Sequence, residues 1–200
     1  MGAILHQRGI LPLHGSTVTD GSRAVLITGD SGAGKSTLAV EFLKNGWKLV
    51  TDDVAAVENI DSVPTVRSSY PSQKLWEDTL KCYPKGEREI HSLYLREERE
   101  KYGVSVSDAF YGGSCPLSLI VRLVPADRPC CIQTVETMPR IDQLIRNTYR
   151  LYMIPPKQRQ RHFQSCVTLA GKVPVALLIR QKGMQCVNTL YEMILKLLGA

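Results

Sequence analysis

Nine consecutive residues, Gly29-Asp30-Ser31-Gly32-Ala33-Gly34-Lys35-Ser36-Thr37, set small side chains, a lysine and the hydroxyl pair Ser36-Thr37 in the order G-x-x-x-x-G-K-[ST]. Small residues let a backbone curl around an anion with its N–H groups turned inward. The spacing makes the amides of residues 32–37 donors to phosphate oxygens, with positive potential added by the start of a following helix. Lys35 would reach the outer phosphates, and Ser36 would offer its hydroxyl to Mg²⁺. A second chemically able pair, Asp52-Asp53, follows. Neighbouring residues of an extended chain point to opposite sides, so one carboxylate can face a metal ion while the other faces an attacking hydroxyl. Phosphoryl transfer needs both roles filled. Aspartate is also a common turn former. A third candidate, His14, has by itself the chemistry of a packing residue as readily as that of a catalyst.

The elements around these groups must position them. An apolar run, Ala24-Val25-Leu26-Ile27, precedes the glycine-rich loop, and a helix-like run follows it. The loop therefore lies between strand and helix, as a phosphate cradle requires. Asn45-Gly46 is a helix stop, with glycine able to take the left-handed position. Residues 47–51 read as a short strand ending at Asp52-Asp53. If the unit is a parallel crossover, both strands end on one edge and the carboxylates arrive near the loop. Upstream, residues 10–19 read as β structure with a turn at Asp20-Gly21-Ser22, and predict a hairpin with residues 23–28. Downstream, residues 54–60, 63–67, 117–124, 131–135 and 173–179 read as strands. Residues 68–72 read as a loop, and residues 73–80 as a short helix capped by Ser72. The stretch 85–101 is highly charged; within it residues 96–101 read as a solvated face or mobile connector, and the basic run 157–162 as a solvated helix face. Residues 138–152 and 187–198 carry amphipathic helical periods.

Two hundred residues suffice for one α/β domain with a good core, and no repeat or linker divides them; a single domain over 1–200 is expected. The net charge of +6 suits an anionic ligand but is too diffuse to argue for nucleic acid. No apolar stretch approaches the length of a membrane span, so no membrane partner is expected. The N-terminal residues lack the pattern of a secretory signal. Six scattered cysteines without C-x-x-C spacing suit a reduced, cytoplasmic setting.

Leu13-His14-Gly15, the loop from Gly29 to Thr37, and Leu49-Val50-Thr51-Asp52-Asp53 together resemble the catalytic domain of the HPr kinase/phosphorylase family. Residues 70–78 and Asn147-Thr148-Tyr149-Arg150 are similar to compact bacterial relatives of that family. Some of those sit among peptide-tailoring enzymes and phosphorylate a serine of a lasso peptide precursor. The resemblance implies an α/β fold: a mixed-sheet P-loop kinase core like the nucleotide-binding domain of HPr kinase and phosphoenolpyruvate carboxykinase. It implies ATP and Mg²⁺ as cofactors, with Gly29, Asp30, Ser31, Gly32, Ala33, Gly34, Lys35, Ser36 and Thr37 holding the nucleotide. Ser36 and Asp53 would hold the metal, and Asp52 would act as base or orienting group for the acceptor hydroxyl. His14 would be an active-site neighbour. The implied partner is a protein or peptide bearing a serine, and a homo-oligomer belongs to the family pattern. Neither the N-terminal regulatory domain of the bifunctional enzymes nor their glycine-rich signature loop is found, so a one-way kinase is expected. A small-molecule kinase or ATPase shares every motif up to residue 53. A nucleotide-gated binding module, contacting nucleic acid through residues 157–162, is a third reading. Arg67, Arg88 and Arg140 are the arginines considered for contact with a transferring phosphate.

Overall fold

The computed structural model describes residues 2–81, 89–96, 99–183 and 186–199. It opens with a helix, α1 (Gly2–Arg8), that no periodicity in the sequence announces. Two strands follow, β1 (Leu11–His14) and β2 (Ser16–Thr19), separated by Gly15. β1 pairs with a later strand while β2 pairs with the next, so the chain steps sideways at Gly15. A Cβ there would overlap the carbonyl oxygen of Ile27, so only glycine permits this close approach.

β2 and β3 (Ala24–Gly29) form the expected antiparallel hairpin. Its turn is tied by Asp20, whose carboxylate accepts from the Ser22 amide (2.9 Å) and hydroxyl (2.8 Å), and from the Arg23 amide (3.0 Å) and Nε (2.9 Å). Burial alone would raise the Asp20 pKa, but these donors prevail and hold it at about 2. A carboxylate with a depressed folded-state pKa contributes stability above its unfolded value near 4, and that stability is lost as pH falls through 2. Asp20→Ala should therefore cost about 1 kcal/mol at pH 7, discounted for solvent screening, and much less at pH 2. Urea unfolding at the two pH values measures the difference.

The loop after β3 leads into α2 (Lys35–Lys44), which ends at Asn45 with Gly46 at φ 84°, as the stop signal predicts. β4 (Lys48–Thr51) then pairs antiparallel with β2. Since β2 lies between β3 and β4 and opposes both, β3 and β4 run parallel and end on one edge. The expected crossover is present, with β2 inserted in its middle. β5 (Val54–Ile60) and β6 (Val63–Arg67) form a hairpin whose turn residues, Asp61 and Ser62, both have positive φ, the signature of a type I′ turn.

Residues 73–80 depart from the expected helix. β7 (Ser72–Trp76) is a strand, and a single helical turn, α3 (Glu77–Leu80), follows. Gln73 and Leu75 are buried while Lys74 is exposed, a period of two that the short apolar run concealed. The charged stretch also departs from a solvated connector. β8 (Ile90–Arg96) and β9 (Arg99–Ser105) pair antiparallel, and β9 pairs with β7, giving a second sheet in the order β7-β9-β8. Residues 82–88, including Cys82 and Arg88, lie outside the described residues.

β10 (Ser114–Ala126) joins the halves of the main sheet. Its first residues pair antiparallel with β6, and its remainder runs parallel to β3. β11 (Cys131–Thr134) precedes α4 (Thr137–Arg146), which stops earlier than the predicted residue 152. The helix is capped at Asn147, Thr148 pairs with Leu13 of β1, and Arg150 at φ 53° starts a 3-10 turn, Leu151–Met153. α5 (Arg159–Lys172) contains most of the basic run; Arg159 and Arg161 are exposed as expected, but His162 turns inward to Thr148. β12 (Val175–Gln181) lies parallel beside β10, and α6 (Val187–Leu197) closes the chain.

The main sheet is thus mixed, and the α/β class is borne out. β3 is buried on both faces, with Val25 and Ile27 packing toward Phe42 and Ile194, and Ala24 and Leu26 toward Leu144 and Leu169. Helices α2 and α6 cover the first face; α4 and α5 cover the second. Two-sided burial explains why β3 reads as a continuous apolar run. No helix among the described residues is long and apolar enough to cross a membrane.

Candidate active site

The loop's geometry begins with its last glycine. Gly34, the N-cap of α2, has φ 105°, a conformation that strains any side chain. The turn is closed by the Ala33 amide donating to the Asp30 carbonyl (3.2 Å), and the first helical bond runs from Leu38 to Gly34 (2.9 Å). Lys35 folds back over this turn, its ammonium donating to the carbonyls of Gly29 (2.9 Å) and Asp30 (3.0 Å). Burial lowers the Lys35 pKa, opposed by the nearby charges of Asp52 and Asp30. Asp30 and Ala33 form the loop's base. Asp30 lies 3.8 Å from the Arg122 guanidinium, and the Ala33 carbonyl accepts from Arg180 Nε at 3.1 Å.

The two carboxylates follow β4 and divide as strand alternation demands. Asp52 accepts from the Ser16 hydroxyl at 3.0 Å and from the Lys74 amide at 2.7 Å. Burial outweighs both bonds and pushes the Asp52 carboxyl up to about 6. Asp53 is paired with the Lys74 ammonium at 2.6 Å. Burial would raise its pKa too, but the Lys74 bond and charge prevail and hold it below the usual carboxylate value. His14 lies against the same carboxylate, 3.9 Å from Nδ1 to Oδ1, and with its proton on Nδ1 it donates to the Asp53 carbonyl at 3.1 Å. Burial, then the charge of Lys35, lowers the His14 pKa. The histidine is fixed from behind: its amide donates to the Asn147 carbonyl (2.7 Å), and its ring stacks on Tyr149 with centroids 6.2 Å apart.

The second sheet roofs this arrangement. Gln73 Nε2 donates to the Ser36 carbonyl at 3.3 Å, and the hydroxyls of Thr37 and Thr79 meet at 3.0 Å. Between roof and loop is a cleft of about 820 Å³, counting the solvent at its mouth. His14, Lys35, Ser36, Asp52 and Asp53 line it from the main sheet, and Lys74, Trp76 and Lys101 from the second. The structure therefore brings the loop, the carboxylates and His14 together.

Two of the considered arginines, Arg67 and Arg140, are elsewhere. Arg67 pairs with Glu58 on the β5–β6 hairpin, and Arg140 donates to the carbonyls of Val135 and Ala170. Sequence reasoning missed Ser16, Lys74, Trp76, Lys101, Arg122 and Arg180. Arg180 carried a usable signal, since it sits at the carboxyl end of the parallel strand β12, where α/β sheets bind ligands. Lys74 and Trp76 were hidden by the helix reading, and Lys101 by a charged stretch with no local pattern.

Among the described residues no group of three or more His, Cys, Asp or Glu could enclose a metal. Mg²⁺ needs no such cage, because it keeps several waters and takes one or two protein oxygens beside substrate phosphates. Hard oxygen donors, the Ser36 hydroxyl and the Asp53 carboxylate, fit that pattern.

These features define an α/β domain whose cationic cleft opens at the carboxyl edge of parallel strands. Residues 10–80 match the family model of the HPr Serine kinase C-terminal domain. The HPr kinase/phosphorylase of Clostridium acetobutylicum is 40% identical over 65 residues, covering 32% of this chain and 21% of the relative. That of Clostridium beijerinckii is 49% identical over 49 residues, covering 24% and 16%. The matched segment thus spans about a fifth of these relatives' length. The Hpr(Ser) kinase/phosphatase from Coxiella burnetii aligns over 94% of this chain and 93% of its own, at a TM-score of 0.48 and 17% identity. The resemblance to the HPr kinase family is borne out, and its sequence support lies in the segment holding His14, the loop and both aspartates.

Proposed function

We propose that this chain is an ATP-dependent kinase that transfers the terminal phosphoryl group to a serine hydroxyl of a protein or peptide. One observation carries the reading: Asp52 and Asp53 stand in the same cleft as the glycine-rich loop, one relatively basic and the other held ionised. A cradle for phosphate alone needs no carboxylates beside it.

In this reading the amides of residues 32–37 and the Lys35 ammonium bind the nucleotide's phosphates. Ser36 and Asp53 would hold Mg²⁺, which would supply positive charge beside the nucleotide's outer phosphates. Asp52 orients the acceptor hydroxyl and takes its proton as the new oxygen–phosphorus bond forms and the bond to the leaving ADP oxygen breaks. Ser16 and the Lys74 amide fix the carboxylate's orientation, and Asp53 is kept charged by Lys74. His14, leaning on Asp53 through its carbonyl and carboxylate, sets the position of that metal ligand. ATP as donor places the reaction inside the cell.

The matched relatives are named HPr kinase/phosphorylase, so an HPr-type protein is the first acceptor to test and a lasso precursor peptide the second. Incubation with γ-labelled ATP, Mg²⁺ and each acceptor should place label on serine, read by phosphopeptide mass spectrometry. Label appearing only in a metabolite or in free phosphate would favour the small-molecule kinase or ATPase instead.

A further inference from the structure

We propose that Arg150, laid over Tyr149 beside the cleft, binds a carboxylate that flanks the acceptor serine; this deepens the kinase reading and rests on it. Both residues lie beyond the matched residues 10–80. The segment that carries them is stitched to the edge of the main sheet. The Asn147 carbonyl accepts from the His14 amide, Thr148 pairs antiparallel with Leu13, and the Tyr149 amide donates to the Pro12 carbonyl at 2.8 Å. From α1, with its proton on Nε2, His6 donates to the Tyr149 carbonyl at 3.0 Å. The backbone beneath Arg150 is therefore held at every residue from 147 to 149.

Three successive contacts lead outward from the carboxylates. His14 Nδ1 lies 3.9 Å from Asp53 Oδ1, the His14 ring stacks on Tyr149, and the Arg150 guanidinium lies 5.3 Å from the Tyr149 centroid. A guanidinium over an aromatic face is oriented and keeps its N–H fork for another partner. Arg150 is exposed, and among the described residues no carboxylate pairs with it. Its left-handed backbone, φ 53°, is one that arginine adopts only at a cost, which argues for a role beyond packing.

The surrounding sequence favours an anionic partner. Residues 143–191 hold eight Lys and Arg and no Asp or Glu, so this one stretch carries more charge than the chain's net +6. In the kinase reading the loop and Lys35 take the nucleotide's phosphates, so the anion left for Arg150 belongs to the acceptor. A carboxylate fits the arginine fork with two parallel hydrogen bonds. At about 3.3 Å per extended residue, contacts of these lengths put that carboxylate within about five residues of the serine.

The test uses synthetic serine peptides with γ-labelled ATP and Mg²⁺. Glu, Gln or Lys occupies each position up to five residues from the serine, with the C-terminus amidated; further Gln peptides end in a free carboxylate inside that window. The wild type should take a carboxylate peptide at a KM about tenfold below its Gln counterpart, and the arm that shows the gain identifies side chain or chain end as its source. Arg150→Gln should erase the gain, with the loss in peptide KM rather than in the Kd for Mg–ATP. Arg150→Lys should recover part of it, and Arg150→Glu should favour Lys at the same position; urea unfolding checks that each variant folds. Where only an HPr-type protein takes label, neutralising its carboxylates around the serine replaces the peptide series. Transfer indifferent to carboxylates in that window, or a gain that survives Arg150→Gln, would overturn the assignment while leaving the kinase reading intact. A wild type that labels neither protein nor peptide would overturn both.

Discussion

Asp52→Asn should lower serine phosphorylation by about 10²–10⁴-fold while changing Mg–ATP affinity by no more than about threefold. The separation follows from what Asp52 touches. It bonds to Ser16 and to the Lys74 amide, and Lys35 feels it only through space. Asparagine is nearly isosteric. Its carbonyl oxygen can keep the Lys74 bond, and its amide can donate to the Ser16 hydroxyl, which already donates to the Asp52 backbone carbonyl at 3.0 Å. Geometry is thereby preserved and proton acceptance is lost. Single-turnover transfer and equilibrium nucleotide binding, measured on the same preparation, separate the two effects. Undiminished transfer would remove Asp52 from the chemistry.

Phe42→Ala should destabilise the fold by about 3–5 kcal/mol. Phe42 is fully buried, and its ring meets Trp47 edge-on at 4.8 Å and Tyr191 at 4.9 Å between centroids. Those contacts join the loop-bearing helix α2 to the start of β4 and to α6. Truncation removes a large apolar surface, two aromatic pairs and the volume that keeps three elements in register. Urea or guanidinium unfolding with an unchanged denaturant slope should show the loss, and a change below about 1 kcal/mol would mean the cluster relaxes to fill the cavity.

The half of the site in residues 14–53 was legible because its signals are local. The loop names its own chemistry, the strand before it is apolar because both faces are covered, and the helix stop at Asn45-Gly46 fixes where β4 delivers Asp52 and Asp53. The other half was not legible because it depends on pairing between distant segments. Nothing in the sequence of residues 73–76 says that β9 will lie beside them, and without that neighbour Gln73-Lys74-Leu75-Trp76 fits the first turns of a helix as well as a strand. Lys101 becomes meaningful only once Trp76 faces it. The early end of α4 at Asn147 comes with the pairing of Thr148 to Leu13 of β1, a contact between distant segments that no local pattern announces. The insertion of β2 between β3 and β4 likewise came from a glycine, Gly15, whose role is visible only against the Ile27 carbonyl.

The central claim is that the loop and the carboxylates form one phosphoryl-transfer site rather than two neighbouring features. Electron paramagnetic resonance of Mn²⁺, used in place of Mg²⁺ and titrated with ATP, tests it most directly in the wild type, Ser36→Ala and Asp53→Asn. The account predicts one protein-bound Mn²⁺–ATP per chain in the wild type, weakened at least about tenfold by either substitution, as two oxygens proposed to share one metal require. Mn²⁺–ATP binding that ignores Asp53→Asn would contradict it.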